Sequence, residues 1–482
     1  MSIVSKKKDK NNGISISFVD DVASEQVTGS LLYIKTPHHN LIIEAGLSQT
    51  NNLKNDYLTN NRKFREFKPK YIDIIFALHN HADHILGIPR LFRDGCEGAV
   101  VTPINSKLIQ KIMYEDCIHI NERDVELLNQ QNGTKYKPIY DKDDVDKTLE
   151  HTIEKPINQK IYVDDSLSFK FIPSGHLLDS CQLLLYITEN NITKTILVTS
   201  DIGSDKVENR YVGKLEYADK ADIVIGESTY GDRPELKIRN KERKNDYDKL
   251  KSVIDSQVRY LNGRVVIPVF AQSRCQVIAT MIYELYKDEK WQPKVYIDSP
   301  LAIKIFKAYE QILTGKDKEI FDELLQWDKL ILVNDALDSM ALVESNEPCV
   351  ILSTAGMMQV GRIRKHIKKI VPNPNATILF CGYASPDSLA GLLRDPKRRS
   401  VTIDQKEYQC RCSVYSLKSL SGHAMFETLV SYYTSIECQR IILHHGSKEQ
   451  KEMLSGALKR ELEKKCKTTR VVISNSSLKF NI

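Results

Sequence analysis

Within Leu78-His79-Asn80-His81-Ala82-Asp83-His84, four side chains able to ligate a metal fall in six consecutive positions. Three imidazoles and a carboxylate make a borderline-hard donor set suited to Zn²⁺ or Mn²⁺. His79 and His81, two apart, can turn the same way, while Asp83 and His84 can reach a second centre beside the first. A single ion would not need so many ligands. Three more candidates stand just beyond apolar runs: His176 after 167–172, Asp201 after 194–198 and His445 after 440–443. Asp201 could bridge two adjacent divalent ions that hold a hydroxide between them, a device for hydrolysing a resistant ester.

Such ligands need rigid strand ends. The β-branched and aromatic run 71–77 reads as a buried strand leading into the His-rich loop, and 85–89 as a turn into a helix. Short strands are expected at 14–19, 30–35 and 40–44, with His38 and His39 an exposed pair in a turn. Helical spacing predicts helices over 106–116 and 121–130, and more weakly over 143–149. The run 221–225 enters Gly226-Glu227-Ser228, and a charged segment from Arg233 continues as a helix to Leu261. Alternating strands (264–270, 294–297, 348–352, 377–380) and helices (271–286, 299–313, 362–370) then predict a second α/β domain with a parallel sheet. Strand character returns at 409–417, followed by helix 426–435, strand 440–443, helix 448–464 and strand 469–474.

Composition is ordinary and globular for 482 residues, with 41% hydrophobic and 27% charged residues, enough for a sizeable core. No apolar run is long enough to span a bilayer and the start is Lys/Asn-rich, so a soluble cytoplasmic chain without membrane contact is expected. The ten cysteines lack metal-binding spacing and read as reduced thiols. The net charge of +6 decides nothing alone. Basic residues cluster at Arg62–Lys70, Lys237–Lys251, Arg362–Lys369 and Lys397–Arg399, and each cluster by itself reads as a solvated face.

Together these motifs resemble the metallo-β-lactamase superfamily: His79-x-His81-x-Asp83-His84 is similar to its signature loop, His176 to its third motif and Asp201 to its fourth. Within it the chain resembles the β-CASP branch of nucleic-acid processing nucleases, which includes cleavage/polyadenylation endonuclease and ribonuclease J relatives. Glu227 matches motif A, His423 in Ser421-Gly422-His423 motif B, and His445 in His445-Gly446 motif C. Pro268-Val269-Phe270-Ala271 with Arg274, Ser299-Pro300-Leu301-Ala302, Gly356-Met357 with Gly361-Arg362, and Gly382-Tyr383 resemble further β-CASP landmarks.

The resemblance implies an αββα sandwich formed by residues 1–232 and 412–482, with an inserted β-CASP α/β cap over 233–411 and a groove over the metals for a single strand. With about a dozen residues before the first strand and 37 after His445, no appended nucleic-acid-binding domain is expected. It implies two divalent ions, Zn²⁺ first and Mn²⁺ as the alternative. His79, His81, His176 and Asp201 would hold one, and Asp83, His84, Asp201 and His445 the other. The catalytic candidates are Asp83, Glu227 and His423, with His423, oriented by Glu227, as general acid. Ser273, Arg274, Ser353, Thr354, Gly356 and Arg362 are candidate phosphate contacts.

The implied activity is hydrolysis of single-stranded RNA, endonucleolytic, 5′ exonucleolytic or both, leaving 5′-phosphate and 3′-hydroxyl ends. RNA is preferred because motif C is His445, where DNA-processing relatives carry an apolar residue. A DNA-directed β-CASP nuclease, a small-molecule metallohydrolase and a non-catalytic RNA-binding scaffold are the alternatives. A homodimer is compatible with this reading, and the sequence names no protein partner. Glu44 in place of the usual Asp, Asp179 in place of a small residue, and Met425 in place of an acidic one depart from the family pattern.

Overall fold

The computed structural model describes residues 13–19, 27–50, 52–206, 210–235, 237–382, 384–475 and 479–481. The Lys/Asn-rich start and Tyr383 lie outside them. The chain divides into two compact units: Met1–Asp205, Val212–Lys237 and Gly422–Ile482 form the first, Lys206–Tyr211 and Ile238–Ser421 the second.

The first unit contains two seven-stranded sheets. One runs Lys479–Asn481, Ser15–Phe18, Leu32–Lys35, Asn40–Ile43, Ile74–Phe76, Ala99–Pro103, Thr152–Lys155. The other runs Arg470–Ile473, Arg440–Leu443, Ile223–Gly226, Ile192–Val198, Cys181–Glu189, Leu167–Pro173, Lys160–Tyr162. Period-two alternation gives each sheet two apolar faces. Ile34, Ile43, Phe76 from one sheet and Phe169, Leu185, Ile196 from the other share one core. The outer faces are covered by helices: Tyr33, Ile75 and Val100 pack with Phe92 and Tyr114, while Leu197, Val224 and Leu443 pack with Tyr432 and Leu458. This is an αββα sandwich.

The second unit holds a six-stranded sheet in the order Leu330–Leu332, Val295–Ile297, Cys349–Ser353, Arg264–Pro268, Ala376–Phe380, Ser413–Ser416, every neighbouring pair parallel. A two-stranded hairpin, Ser400–Ile403 with Lys406–Gln409, accompanies it.

Several elements differ from the sequence expectation. The two helices expected between 106 and 130 are one, Ser106–Asn132, because nothing between them breaks a helix until Gly133 closes it at φ +63°. The strand expected at 409–417 belongs to the second unit, since Ser413–Ser416 pairs with Ala376–Phe380, so the return to the first unit falls at Gly422 rather than 412. His38 is exposed as expected, but His39 is buried with its Nε2 2.7 Å from Asp164 Oδ2. All ten cysteines are free thiols. Among the described residues no helix is long and apolar enough to cross a membrane.

Candidate metal centre

Every expected metal ligand lies in the first unit, on loops that leave strand ends. After Ile74–Phe76 the chain delivers His79, then His81 at the start of the short helix Ala82–Ile85. Backbone bonds fix this loop: Ser30 N donates to Asp83 O at 2.8 Å and Ala45 N to His84 O at 2.8 Å. Gly46 makes the approach possible, because a Cβ there would sit 1.7 Å from Asp83 O. Glu44, Ser200 and His445 all adopt left-handed backbone, at φ +60°, +50° and +48°. Such conformations cost on the order of 1–3 kcal/mol each and concentrate at functional sites, where they turn a side chain off the strand line.

Two ligand groups result. His79, His81, His176 and Asp201 can each offer an atom within 4.8 Å of the others, and so can Asp83, His84 and His445. Asp201 stands between them, its Oδ2 3.6 Å from His79 Nε2 and 3.5 Å from the Nε2 atoms of His176 and His84, its Oδ1 3.2 Å from His445 Nδ1. The ligands are themselves held. His176 N donates to Ser180 Oγ at 3.1 Å. His84 Nδ1 lies 2.6 Å from Glu44 Oε2, and Ser200 Oγ donates to Glu44 Oε1 at 2.5 Å while standing 3.1 Å from His79 Nδ1.

This centre is a poor place to leave bare. His79 Nε2, His84 Nε2, His445 Nε2 and Asp201 Oδ1 are buried and make no hydrogen bond, which for ordinary polar atoms costs about 1–3 kcal/mol each. Burial and neighbouring imidazoles push His81 down to about 3 and His176 well below the usual range, so both are neutral donors. Burial alone would raise Asp201, Asp83 and Glu44, but the surrounding imidazoles hold all three carboxyls well below the usual carboxylate range. In the second group burial would lower His84 and His445, but the charges of Glu44, Asp201 and Asp83 raise both, so a cation bound there would take the place of their protons. Imidazoles and ionised carboxylates converging on two points fit a pair of divalent cations.

Glu227 and His423 sit beside this cluster. Glu227 is buried, its Oε1 accepting from Ile202 N at 2.7 Å, and His423 Nδ1 lies 3.3 Å from Glu227 Oε2 and 3.9 Å from Asp201 Oδ2. Burial would lower His423, yet the Glu227 and Asp201 charges raise it to about 9. Its side chain is 21% exposed and that of Asp83 25%, against 1–4% for His79, His84, His176 and His445, so these two, with the half-buried His81, line the open side.

The six candidate phosphate contacts lie in the second unit, at the carboxyl edge of its parallel sheet. Ser273 has φ +69° and Arg274 opens the helix Arg274–Tyr286. Ser353 Oγ donates to Asp298 O, Thr354 Oγ1 is 2.7 Å from Ser299 Oγ, and a Cβ on Gly356 would stand 3.4 Å from the Phe270 ring. Arg362 has other partners: its guanidinium donates to Asp298 Oδ1 at 2.8 Å and to the carbonyls of Val333 and Asn334. That commits much of it to holding strand ends together, which sequence spacing does not reveal.

Sequence reading also missed what supports the ligands. Glu44 stands out as a departure, and its strand-end position is the one signal for its role. Ser180 and Ser200 give none. Asp179 is pushed up to about 6 by burial. Met425 is a buried residue at the start of Phe426–Ser435, with no side-chain cap.

Residues 275–393 match the Beta-Casp domain, and residues 407–469 match the Zn-dependent metallo-hydrolase RNA specificity domain. Ribonuclease TTHA0252 of Thermus thermophilus is 27% identical over 439 residues, covering 89% of this chain and 92% of that protein. Transcription termination factor FttA of Methanocaldococcus jannaschii is 26% identical over 451 residues, covering 91% of this chain and 67% of that protein. A crystal structure of a protein of unknown function from Enterococcus faecalis V583 superposes with a TM-score of 0.54 at 12% identity, covering 98% of this chain and all of that one, a likeness of fold.

Proposed function

Because the chain belongs to the metallo-β-lactamase β-CASP ribonuclease family, we propose that it is a metal-dependent ribonuclease cutting single-stranded RNA to 5′-phosphate and 3′-hydroxyl ends. The observation that carries this reading is the pair of ligand groups meeting at Asp201 with the Glu227–His423 pair beside them. His79, His81, His176 and Asp201 would hold one ion, and Asp83, His84, Asp201 and His445 the other. Two divalent cations, Zn²⁺ before Mn²⁺, supply Lewis-acid charge when bound, neutralising phosphate oxygens and lowering the pKa of water.

The chain's own groups do the rest. Glu44 and Ser200 orient the imidazoles of His84 and His79, so the donors are in place before substrate arrives. Glu227 fixes His423 through Nδ1 and keeps it protonated, and His423 gives that proton to the departing 3′ oxygen. Asp83 faces the open side and adds the negative charge that holds its ion against an anionic substrate. The strand ends of the second unit, with Ser273, Arg274, Ser353, Thr354 and Gly356, supply backbone N–H and side-chain donors for phosphates.

The test is cleavage of matched unstructured RNA and DNA oligomers by the metal-loaded protein, with Asp83→Ala and His423→Ala beside it. RNA cleavage lost in both variants supports the reading. Efficient DNA cleavage with RNA untouched, or variants as fast as the parent, overturns it.

A further inference from the structure

Positive charge is not spread over this chain. Residues 362–411 carry eleven Lys and Arg against four Asp and Glu, a formal +7 that exceeds the +6 of the whole protein. The remainder of the chain is therefore close to neutral overall, so this segment carries the protein's excess of positive charge.

The segment folds so that much of this charge is shared by two adjoining elements of the second unit. Ser400–Ile403 and Lys406–Gln409 form the antiparallel hairpin, anchored by the buried side chains of Val401 and Ile403. Its turn residue Asp404 lies across the helix Ile363–Ile370, pairing with Arg364 and, at 2.6 Å, with Lys368. At its open end Cys410 N donates to Arg399 O, and Arg411 N donates to Val371 O just past that helix. Hairpin and helix therefore run side by side.

Cations along the helix are mostly paired, whereas those of the hairpin and its flanks outnumber the exposed acids there besides Asp404, which are Asp395 and Glu407. Asp404 serves Arg364 and Lys368, Glu344 pairs with Lys369, Asp298 takes Arg362, and the Arg394 guanidinium stacks on Phe380. Among the described residues, Lys365, Lys397, Arg398, Arg399, Lys406 and Arg411 are exposed and have no carboxylate within ion-pair distance. Tyr408 packs against the core beneath the hairpin and carries the Lys406 ammonium over its ring at 5.6 Å. Elsewhere some lysines are paired, as Lys237 is with Glu427 and Lys251 with Glu289. Exposed cations gathered on one hairpin and its flanks fit a phosphodiester backbone.

We propose that the hairpin 400–409 and its flanks, Lys397 to Arg399 and Arg411, form an accessory surface that binds the phosphate backbone of single-stranded RNA, apart from the metal-ligating residues. The partner's identity rests on the ribonuclease reading above, whereas its polyanionic character follows from the surface itself.

The experiment compares the full-length protein with Lys397→Gln/Arg398→Gln/Arg399→Gln/Lys406→Gln, and with Lys54→Gln/Lys135→Gln/Lys459→Gln/Lys464→Gln, which removes equal charge from other exposed positions. Binding of a 30-nucleotide unstructured RNA is measured on the metal-loaded proteins, each also carrying His423→Ala to suppress turnover, from about 50 to 300 mM salt. At roughly 0.7 per phosphate contact, the hairpin variant should flatten the log K against log salt slope by about 1.5–3 and weaken binding at 0.15 M about 10- to 100-fold. Without His423→Ala, two bound ions per chain and cleavage at saturating RNA should be unchanged. An unaltered slope in the hairpin variant, or an equal loss in the control variant, overturns the proposal. If the parent binds RNA with the expected slope yet cleaves none when metal-loaded, the ribonuclease reading fails and this surface stands.

Discussion

Replacing Glu44 by Gln changes one atom and separates the support of the metal centre from its ligands. The carboxylate accepts three hydrogen bonds, from Ser30 Oγ at 2.9 Å, His84 Nδ1 at 2.6 Å and Ser200 Oγ at 2.5 Å, and its charge faces His84 at the back of the second ligand group. An amide keeps the shape, offers one acceptor oxygen instead of two and removes the charge that polarises His84. Loss of such outer support typically costs 10- to 100-fold in metal affinity, about 1.4–2.8 kcal/mol. Competition with a chromogenic chelator should show Zn²⁺ affinity weakened by that factor, while total binding stays at two ions per chain and RNA cleavage recovers at excess metal. Unchanged affinity would refute the orienting role. A fall to one ion per chain would refute it differently, by making Glu44 a ligand, since it also reaches His79 and His84 within ligand distance.

Other consequences follow from the same geometry. His423→Ala should lower kcat by about 10²–10⁴-fold with both ions retained, read by single-turnover cleavage and metal analysis; a rate within a few-fold of the parent would remove His423 from proton transfer. Gly203→Ala places a Cβ 1.7 Å from Gly175 O, pushing the Asp201 loop off the His176 loop, so weakened metal binding and a lower Tm are expected together, and a variant with parental metal affinity would contradict this. In the second unit, burial would raise Asp298, but hydrogen bonds from His366, Arg362 and Ser339 outweigh it and hold its carboxyl below the usual value. Asp298→Asn leaves Arg362 without its counter-charge, a loss of about 3 kcal/mol or more and roughly 6–12 °C in Tm. A depressed carboxyl stabilises above the unfolded value and loses that contribution as pH falls through the folded one, so the gap between parent and variant should be full at pH 7 and narrow below about pH 4. Calorimetric scans at both pH values check it, and a gap that widens in acid would show the sign to be wrong.

The candidate metal centre is legible in the sequence because ligand chemistry restricts residue types severely: His79 to His84 do not form a packing pattern, and His176, Asp201 and His445 each follow a clear apolar run. The alternation of strands and helices in the second unit was legible for the same reason, since a parallel sheet buried on both faces writes continuous apolar runs such as Val265–Ile267. What stayed hidden was set by long-range pairing. Nothing local says that Ser413–Ser416 joins the second unit's sheet rather than returning to the first, because the pairing partner lies at Ala376–Phe380. The helices Gly315–Gln326 and Ala336–Glu344 are likewise absent from the sequence reading, the first because its apolar positions are few and the second because they run around most of its circumference, so neither sets a period. The support by Glu44, Ser180 and Ser200 needs three separate strand ends in one place, which only the fold provides.

The account stands most directly on the chemistry of the ends it makes. A defined RNA incubated with the metal-loaded protein, followed by mapping of both termini at each cut, should give 5′-phosphate and 3′-hydroxyl ends, with cleavage abolished by chelation and by Asp83→Ala. Cyclic 2′,3′-phosphate ends would contradict it, because attack would then come from the RNA's own 2′-hydroxyl rather than from water at the His79–His84 loop.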